Sequence, residues 1–345
     1  MKLAKILDGD GHIIERDAEL FEYLEPPYAG NEALLGYPFF PTLDGYNRGA
    51  IVSRLGIHKA YTITAKTWLE FLDEVGIEST VLYPTAGLAF GMIQDPTWAV
   101  ALARAYNNWF TERFHRVSPR LRAVALVPMQ DVGEAVTELR RAVTELGMVG
   151  AVLPANCAEL GIRKGLGHPD LWPVYAEAEK LGCALSVHGG GYKDLGFNTF
   201  TCFPATRALG MPFPLAIAMT GMIVDGVFDA YPNLRVGFME GGTSWIPLVI
   251  DRLKREMEYT PLRLKRSPEE YFRGVFVGCE GNEEALSYSI QRVGPEPFMF
   301  ASDFPHEIML ESCMREIDEI LERKDLTDEH KAAILGGNAR RFYRL

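Results

Sequence analysis

The sequence has few cysteines and none in CxxC spacing, no glycine fingerprint behind a strand, no long apolar run and no surplus of basic charge. The five cysteines, at 157, 183, 202, 279 and 313, are odd in number and scattered. That removes a disulfide framework and a cysteine zinc ribbon, and it suits a reducing compartment. No apolar strand is followed by GxGxxG, which excludes a dinucleotide-binding half. Gly161-Ile162-Arg163-Lys164-Gly165 lacks the spacing of a phosphate loop. No run of about 18 uninterrupted apolar residues occurs, and acidic residues begin at Asp8, before any apolar stretch of signal length. A soluble, cytoplasmic protein is expected. With 46 acidic and 35 basic residues the net charge is -11, which sets aside nucleic acid and membrane as default partners.

What is present is a regular alternation. Hydrophobic residues make up 48% of the 345, and that length suits one large α/β barrel or two ordinary domains. Short apolar runs at 6–8, 77–83, 121–127, 149–153, 183–187, 234–239, 275–277 and 298–301 read as strands. Helical stretches separate them, several closed by glycine (Gly76, Gly147, Gly182) and one opened by Asp95-Pro96. Strands that are apolar throughout are buried on both faces, as in a parallel sheet covered by helices. Eight strand–helix units without a midpoint break predict a closed (β/α)8 TIM barrel over residues 1–345 as a single domain. Residues 16–66, rich in proline and aromatics, are expected to form an inserted cap or lid after the first strand, and 322–345 a helical tail.

A barrel carries its chemistry at the C-terminal ends of its strands. Asp10 and His12 follow the first strand, His188 the fifth, Glu240 the sixth and Asp303 the eighth, with His306 three residues on. Two residues apart in extended backbone, Asp10 and His12 aim at one spot. A carboxylate oxygen and imidazole nitrogens suit a borderline divalent cation such as zinc. The alternative is that Asp8-Gly9-Asp10-Gly11 is an ordinary turn. Three glycines behind His188 let backbone approach a bound group. Glu240 is the first charge after a buried strand and needs a partner: the metal, its water, or Arg207. Arg48 and Arg54 in the cap, and Arg207 in the long loop after strand five among Phe197, Phe200 and Phe203, are the candidates for meeting an anionic substrate.

Three stretches together resemble a known group: Asp8-Gly9-Asp10-Gly11-His12, then Tyr231-Pro232-Asn233-Leu234-Arg235-Val236 through Gly241-Gly242, and Ala301-Ser302-Asp303-Phe304-Pro305-His306. They are similar to the aminocarboxymuconate-semialdehyde decarboxylase-like branch of the amidohydrolase superfamily, amidohydrolase family 2. The resemblance implies a distorted TIM barrel with one divalent metal, zinc first and manganese as the alternative, held by Asp10, His12, His188 and Asp303. It also implies a small aromatic or unsaturated carboxylate as substrate, decarboxylation or hydrolysis as reaction, and a homodimer. Two positions depart from the family: Asp10 stands where histidine or glutamate is usual, and Glu240 where a histidine handles water or protons. The expectation is therefore a metal-dependent hydrolase using activated water, with Asp303, Glu240 and His188 as its catalytic residues. Asp303 takes the proton, or Glu240 shuttles it to the leaving group. Non-oxidative decarboxylation is the alternative, and an inactive binding barrel the minor one.

Overall fold

A computed structural model describes residues 5–43, 45–46, 62–156, 161–190, 195–306 and 308–345. Eight parallel strands stand in sequence order: β1 Ile6–His12, β2 Ile77–Tyr83, β3 Leu121–Leu126, β4 Gly150–Pro154, β5 Ala184–His188, β6 Arg235–Met239, β7 Phe276–Cys279 and β8 Phe298–Phe300. Helices fill the connections, giving the eight-stranded, nearly closed barrel of the (β/α)8 class. Its strands are buried along almost their whole length, which is why they read as unbroken apolar runs.

The helices begin and end where their sequences say they should. Thr64 and Thr67 form a reciprocal cap at the start of Ala65–Val75, and Gly76 ends that helix with a left-handed φ of 86°. Asp95 accepts from the backbone of Thr97 and Trp98 ahead of Pro96–Phe110. In the tail, Thr327 caps Asp328–Ala332, and Asn338–Tyr343 follows a kink at Gly336. Tyr343 reaches back into the barrel, its hydroxyl donating to Gly9 O at 2.6 Å.

Three expectations change. First, β1 does not stop at Asp8 but runs through both glycines to His12, with an irregular register between Asp8 and Gly11. The turn alternative is thereby removed. A Cβ at Gly11 would lie 2.7 Å from Trp68 Cζ2 and 2.9 Å from Thr80 Oγ1, so this glycine serves packing. Second, the long loop after β5 contains the helix Phe203–Gly210, followed by Pro212–Val224 and Val227–Ala230, so Arg207 is helical. Pro204 sits in its first turn, where the missing N–H costs nothing. Third, Pro268–Arg273 is a short helix with a Ser267–Glu270 capping box that the pattern did not reveal.

Within the cap, Asp17–Phe21 is helical and Phe39 and Phe40 are buried. Tyr46 packs edge-on against Phe203, ring centres 5.3 Å apart. Leu43 lies where a Cβ at Gly190, just past His188, would meet it at 3.3 Å. The described part of this segment thus packs on Trp98 through Phe39, 5.3 Å between ring centres, and touches the segments around the strand-five end. Arg48, Arg54 and His58 lie outside the described residues. Among the described residues, Phe203–Val224 is the one stretch apolar and long enough to cross a membrane by length and composition, with mean hydropathy 1.4 and 44% of it buried in the fold. Met211 and Pro212 break it into two helices.

Candidate metal centre

The strand-end residues singled out above converge on one spot at the C-terminal mouth of the barrel. Asp10 Oδ1 lies 3.5 Å from His12 Nε2, and Asp10 Oδ2 lies 3.4 Å from His188 Nε2. Asp303 Oδ1 stands 3.4 Å from His12 Nε2, and Glu240 Oε2 stands 3.5 Å from His188 Nε2. Arg207 reaches Glu240 from the rim, Nη2 to Oε1 at 4.0 Å. Asp10, His12 and His188 are buried to within about a hundredth of their surface, at 1%, 0% and 1% exposed.

The outer contacts of the two imidazoles decide which nitrogen faces inward. His12 Nδ1 is 2.8 Å from Pro84 O, and His188 Nδ1 is 2.9 Å from Gly189 O. A carbonyl only accepts, so each Nδ1 carries the proton and each Nε2 presents a lone pair to the centre. Asp10 Oδ1, His12 Nε2, His188 Nε2 and Glu240 Oε2 are all buried without a hydrogen-bond partner. Four buried acceptors facing one another would be costly alone. A divalent cation would satisfy the first three, Asp10, His12 and His188, which form a trio able to hold one, and would leave Glu240 beside it. The separations also fit: a tetrahedral site with bonds of about 2.1 Å has donor–donor edges of about 3.4 Å.

The electrostatics agree. Burial pushes the Asp10 carboxyl above its ordinary range, although His188 opposes it. Burial, and then the Asp303 charge, push Glu240 up to about 7. Burial, then the fields of His306 and His188, hold His12 well below the usual imidazole range. His188 is pulled down by burial but lifted more by Asp10 and then Glu240, to about 9, so at neutral pH its Nε2 holds a second proton that a bound cation would displace. Negative charge is crowded here, and a dication relieves it.

Backbone strain is concentrated at the same place. Glu240 and Asp303 adopt φ of 61° and 52°, a left-handed conformation that costs a non-glycine residue about 1–2 kcal/mol. Past Glu240, the Glu283 carboxylate accepts from Thr243 N and Thr243 Oγ1, both at 2.6 Å.

His306 was in view three residues past Asp303, and the residues that support it were not. His306 stacks on His12 with ring centres 4.1 Å apart, and its Nδ1 meets Asp303 Oδ1 at 2.7 Å. Thr85 Oγ1 donates to Ile13 O at 2.6 Å, so it can only accept from His306 Nε2 at 2.9 Å. Glu15 holds that loop by accepting from Thr85 N, Ala86 N and Gly87 N. Nothing in the local sequence marks these partners. Glu280 was findable: it is the first charge after β7, the rule that found Glu240, and burial and then Glu283 and Asp303 raise its carboxyl. The Phe197, Phe200 and Met211 side chains pack with one another in a small apolar cluster.

Residues 66–345 match the amidohydrolase family. The chain is 29% identical over 275 residues to the 2-amino-3-carboxymuconate-6-semialdehyde decarboxylase of Dictyostelium discoideum, covering 78% of this chain and 73% of that protein. It is 29% identical over 252 residues to the gamma-resorcylate decarboxylase of Rhodococcus jostii, covering 69% and 76%. Its fold matches the crystal structure of a dihydroxybenzoic acid decarboxylase from Polaromonas sp. JS666 with bound manganese and the inhibitor 2-nitroresorcinol. The TM-score is 0.72 at 21% identity, over 99% of this chain and 98% of that one. The chain is therefore an enzyme of the amidohydrolase superfamily, in the family 2-like branch related to the aminocarboxymuconate-semialdehyde and resorcylate decarboxylases.

Proposed function

We propose that the protein is a metal-dependent, non-oxidative decarboxylase of a small aromatic or conjugated carboxylic acid. The observation that carries this reading is the convergence of four unpartnered buried acceptor atoms at the barrel mouth, with an arginine on Glu240 beside them. The choice of reaction is supported by the three relatives described above, each a decarboxylase by name. Decarboxylation thus takes precedence over hydrolysis, the first expectation.

Asp10, His12, His188 and Asp303 would hold the cation. Manganese, present in the Polaromonas structure, and zinc, suited to the mixed imidazole and carboxylate set, are its two forms. When bound, it supplies Lewis acidity that holds and polarises the substrate's oxygens. Arg207 orients the substrate's anionic end through charge-assisted hydrogen bonds. Glu240 delivers its proton to the carbon bearing the carboxylate. The bond from that carbon to the carboxylate then breaks, its electron pair returns to the conjugated system and carbon dioxide leaves. Glu240 regains its proton from solvent. His188, 3.5 Å from Glu240, places that carboxyl beside the cation's ligands.

Two further readings accompany this one. The dispersed free thiols Cys183, Cys202, Cys279 and Cys313 support a cytoplasmic setting. Phe213, Ile217 and Val224, exposed on one helix, together with Leu248, exposed on the helix Trp245–Tyr259, support a homodimer through these helices. A concentration-independent monomer mass by light scattering refutes the dimer. For the reaction, the test is to chelate the purified protein, restore manganese or zinc, and follow carbon dioxide release. Activity indifferent to chelation overturns the proposal.

A further inference from the structure

Asp8 does no chemistry in the account above, yet it is a fully buried carboxylate two residues from Asp10. It lies on the seam of the barrel. Among the described residues, strand pairing runs from β1–β2 through β7–β8. The β8–β1 seam is joined instead by backbone bonds from Asp303 N to Asp10 O at 2.9 Å and from His12 N to Phe304 O at 2.7 Å. Asp8 fills this seam with its side chain. Its Oδ1 accepts from Ser302 N at 2.8 Å and Asp10 N at 3.3 Å. Its Oδ2 accepts from Ser302 Oγ at 2.9 Å and Thr80 Oγ1 at 2.7 Å. Ser302 Oγ in turn accepts from Phe304 N at 3.2 Å.

Asp303 therefore sits between two residues that Asp8 fixes, directly at 302 and through the serine hydroxyl at 304. That bracket surrounds a residue held at a left-handed φ of 52°, a conformation that persists only where neighbours over-determine it. The same carboxylate also holds the backbone of Asp10. We infer that Asp8 is a positioning residue for the metal centre, setting the spacing between Asp10 and Asp303 by acting through Ser302 and the Asp10 backbone. This rests on the metal reading above. Hydrogen-bonded partners behind metal ligands typically change affinity by about 10–100-fold when removed, and Asp8 acts one step further back, through main chain.

The test uses two substitutions that each delete one hydroxyl from the same Asp8 oxygen. Ser302→Ala removes the hydroxyl part of the bracket, its bonds to Asp8 Oδ2 and Phe304 N, and keeps the bond from Ser302 N to Asp8 Oδ1. Thr80→Val removes a bond of similar length from β2, which carries none of the proposed ligands. Each variant of the full chain is stripped of metal and titrated with manganese, free and bound ion being separated by electron paramagnetic resonance, with melting temperature measured alongside. The expected result is that Ser302→Ala weakens manganese binding about 10–100-fold and broadens or shifts the bound signal. Thr80→Val should lower the melting temperature to a similar degree but change affinity by less than about threefold, because it leaves the Ser302 bracket intact. Equal effects of the two variants on affinity, or no effect of Ser302→Ala, overturn the positioning role while wild-type binding stands. Wild-type protein that binds no manganese overturns the metal reading and this role together.

Discussion

Glu240 Oε2 stands 3.5 Å from His188 Nε2, and both atoms are buried without a hydrogen-bond partner. A carboxyl so placed is either tied to a cation or used to move a proton. Its strained backbone argues for use. Glu240→Gln keeps the shape and removes the transferable proton. It is expected to retain fold and bound metal while kcat falls by roughly two to four orders of magnitude. Near wild-type kcat with intact metal content contradicts the role. A lowered melting temperature with normal turnover of the folded fraction assigns Glu240 to structure alone.

Much of this centre was legible, and the reason is physical. Strands buried on both faces must be apolar throughout, so the first charge after each run marks the barrel mouth. That logic located Asp10, His12, His188, Glu240 and Asp303 without coordinates. It failed where glycine and proline have two meanings. Gly9 and Gly11 look like turn residues, yet they let β1 pass close to its neighbours, Trp68 among them. Pro204, Pro212 and Pro214 look like breakers, yet they open helices and hide the one that carries Arg207. The supporting bonds were beyond reach for another reason. Asp8 and Ser302 are 294 residues apart, and Glu15 and Thr85 are 70 apart. Only the closed barrel brings them together.

Arg207 should act on binding more than on chemistry. Arg207→Met removes the charge while keeping much of the side-chain volume. Loss of a charge-assisted bond, about 1.5–3 kcal/mol, corresponds to a KM raised roughly 10–100-fold with kcat changed much less. Steady-state kinetics on metal-loaded variant checks this. A kcat collapse at unchanged KM shows instead that Arg207 serves Glu240.

Gly11 sits in the tightest part of β1. Gly11→Ala forces a methyl group against the Trp68 ring and Thr80 Oγ1, and overpacking of this kind costs about 1–3 kcal/mol. Trp68 also donates to His12 O at 2.9 Å, so the displacement should reach the metal centre. Chemical denaturation and metal titration should both register the change. A variant as stable as wild type means that the strand and ring can separate freely.

The thiols should divide by exposure. Burial pushes Cys183 up to about 12 and raises Cys279 and Cys313 as well. A raised pKa leaves the thiol protonated at pH 8, and only the thiolate attacks. Cys202 is exposed. In native protein at pH 8, mass-spectrometric mapping after brief alkylation should find label on Cys202, and on the other three only after unfolding. Raising the pH to about 9 should not change that division, since 9 is still well below the raised pKa of Cys183. Cys157 lies outside the described residues. Rapid native labelling of Cys183 contradicts this division.

If Glu240 protonates carbon before the carbon–carbon bond breaks, a solvent-derived proton must end up at the vacated carbon. Metal-loaded enzyme is incubated with hydroxybenzoates and unsaturated dicarboxylates in deuterated, oxygen-18-enriched water. The expected result is one carbon dioxide released per product, one deuterium at the vacated carbon, and no solvent oxygen in the organic product. Product that carries solvent oxygen-18 without carbon dioxide release contradicts it, because water has then been added to the substrate and no carboxylate has been lost.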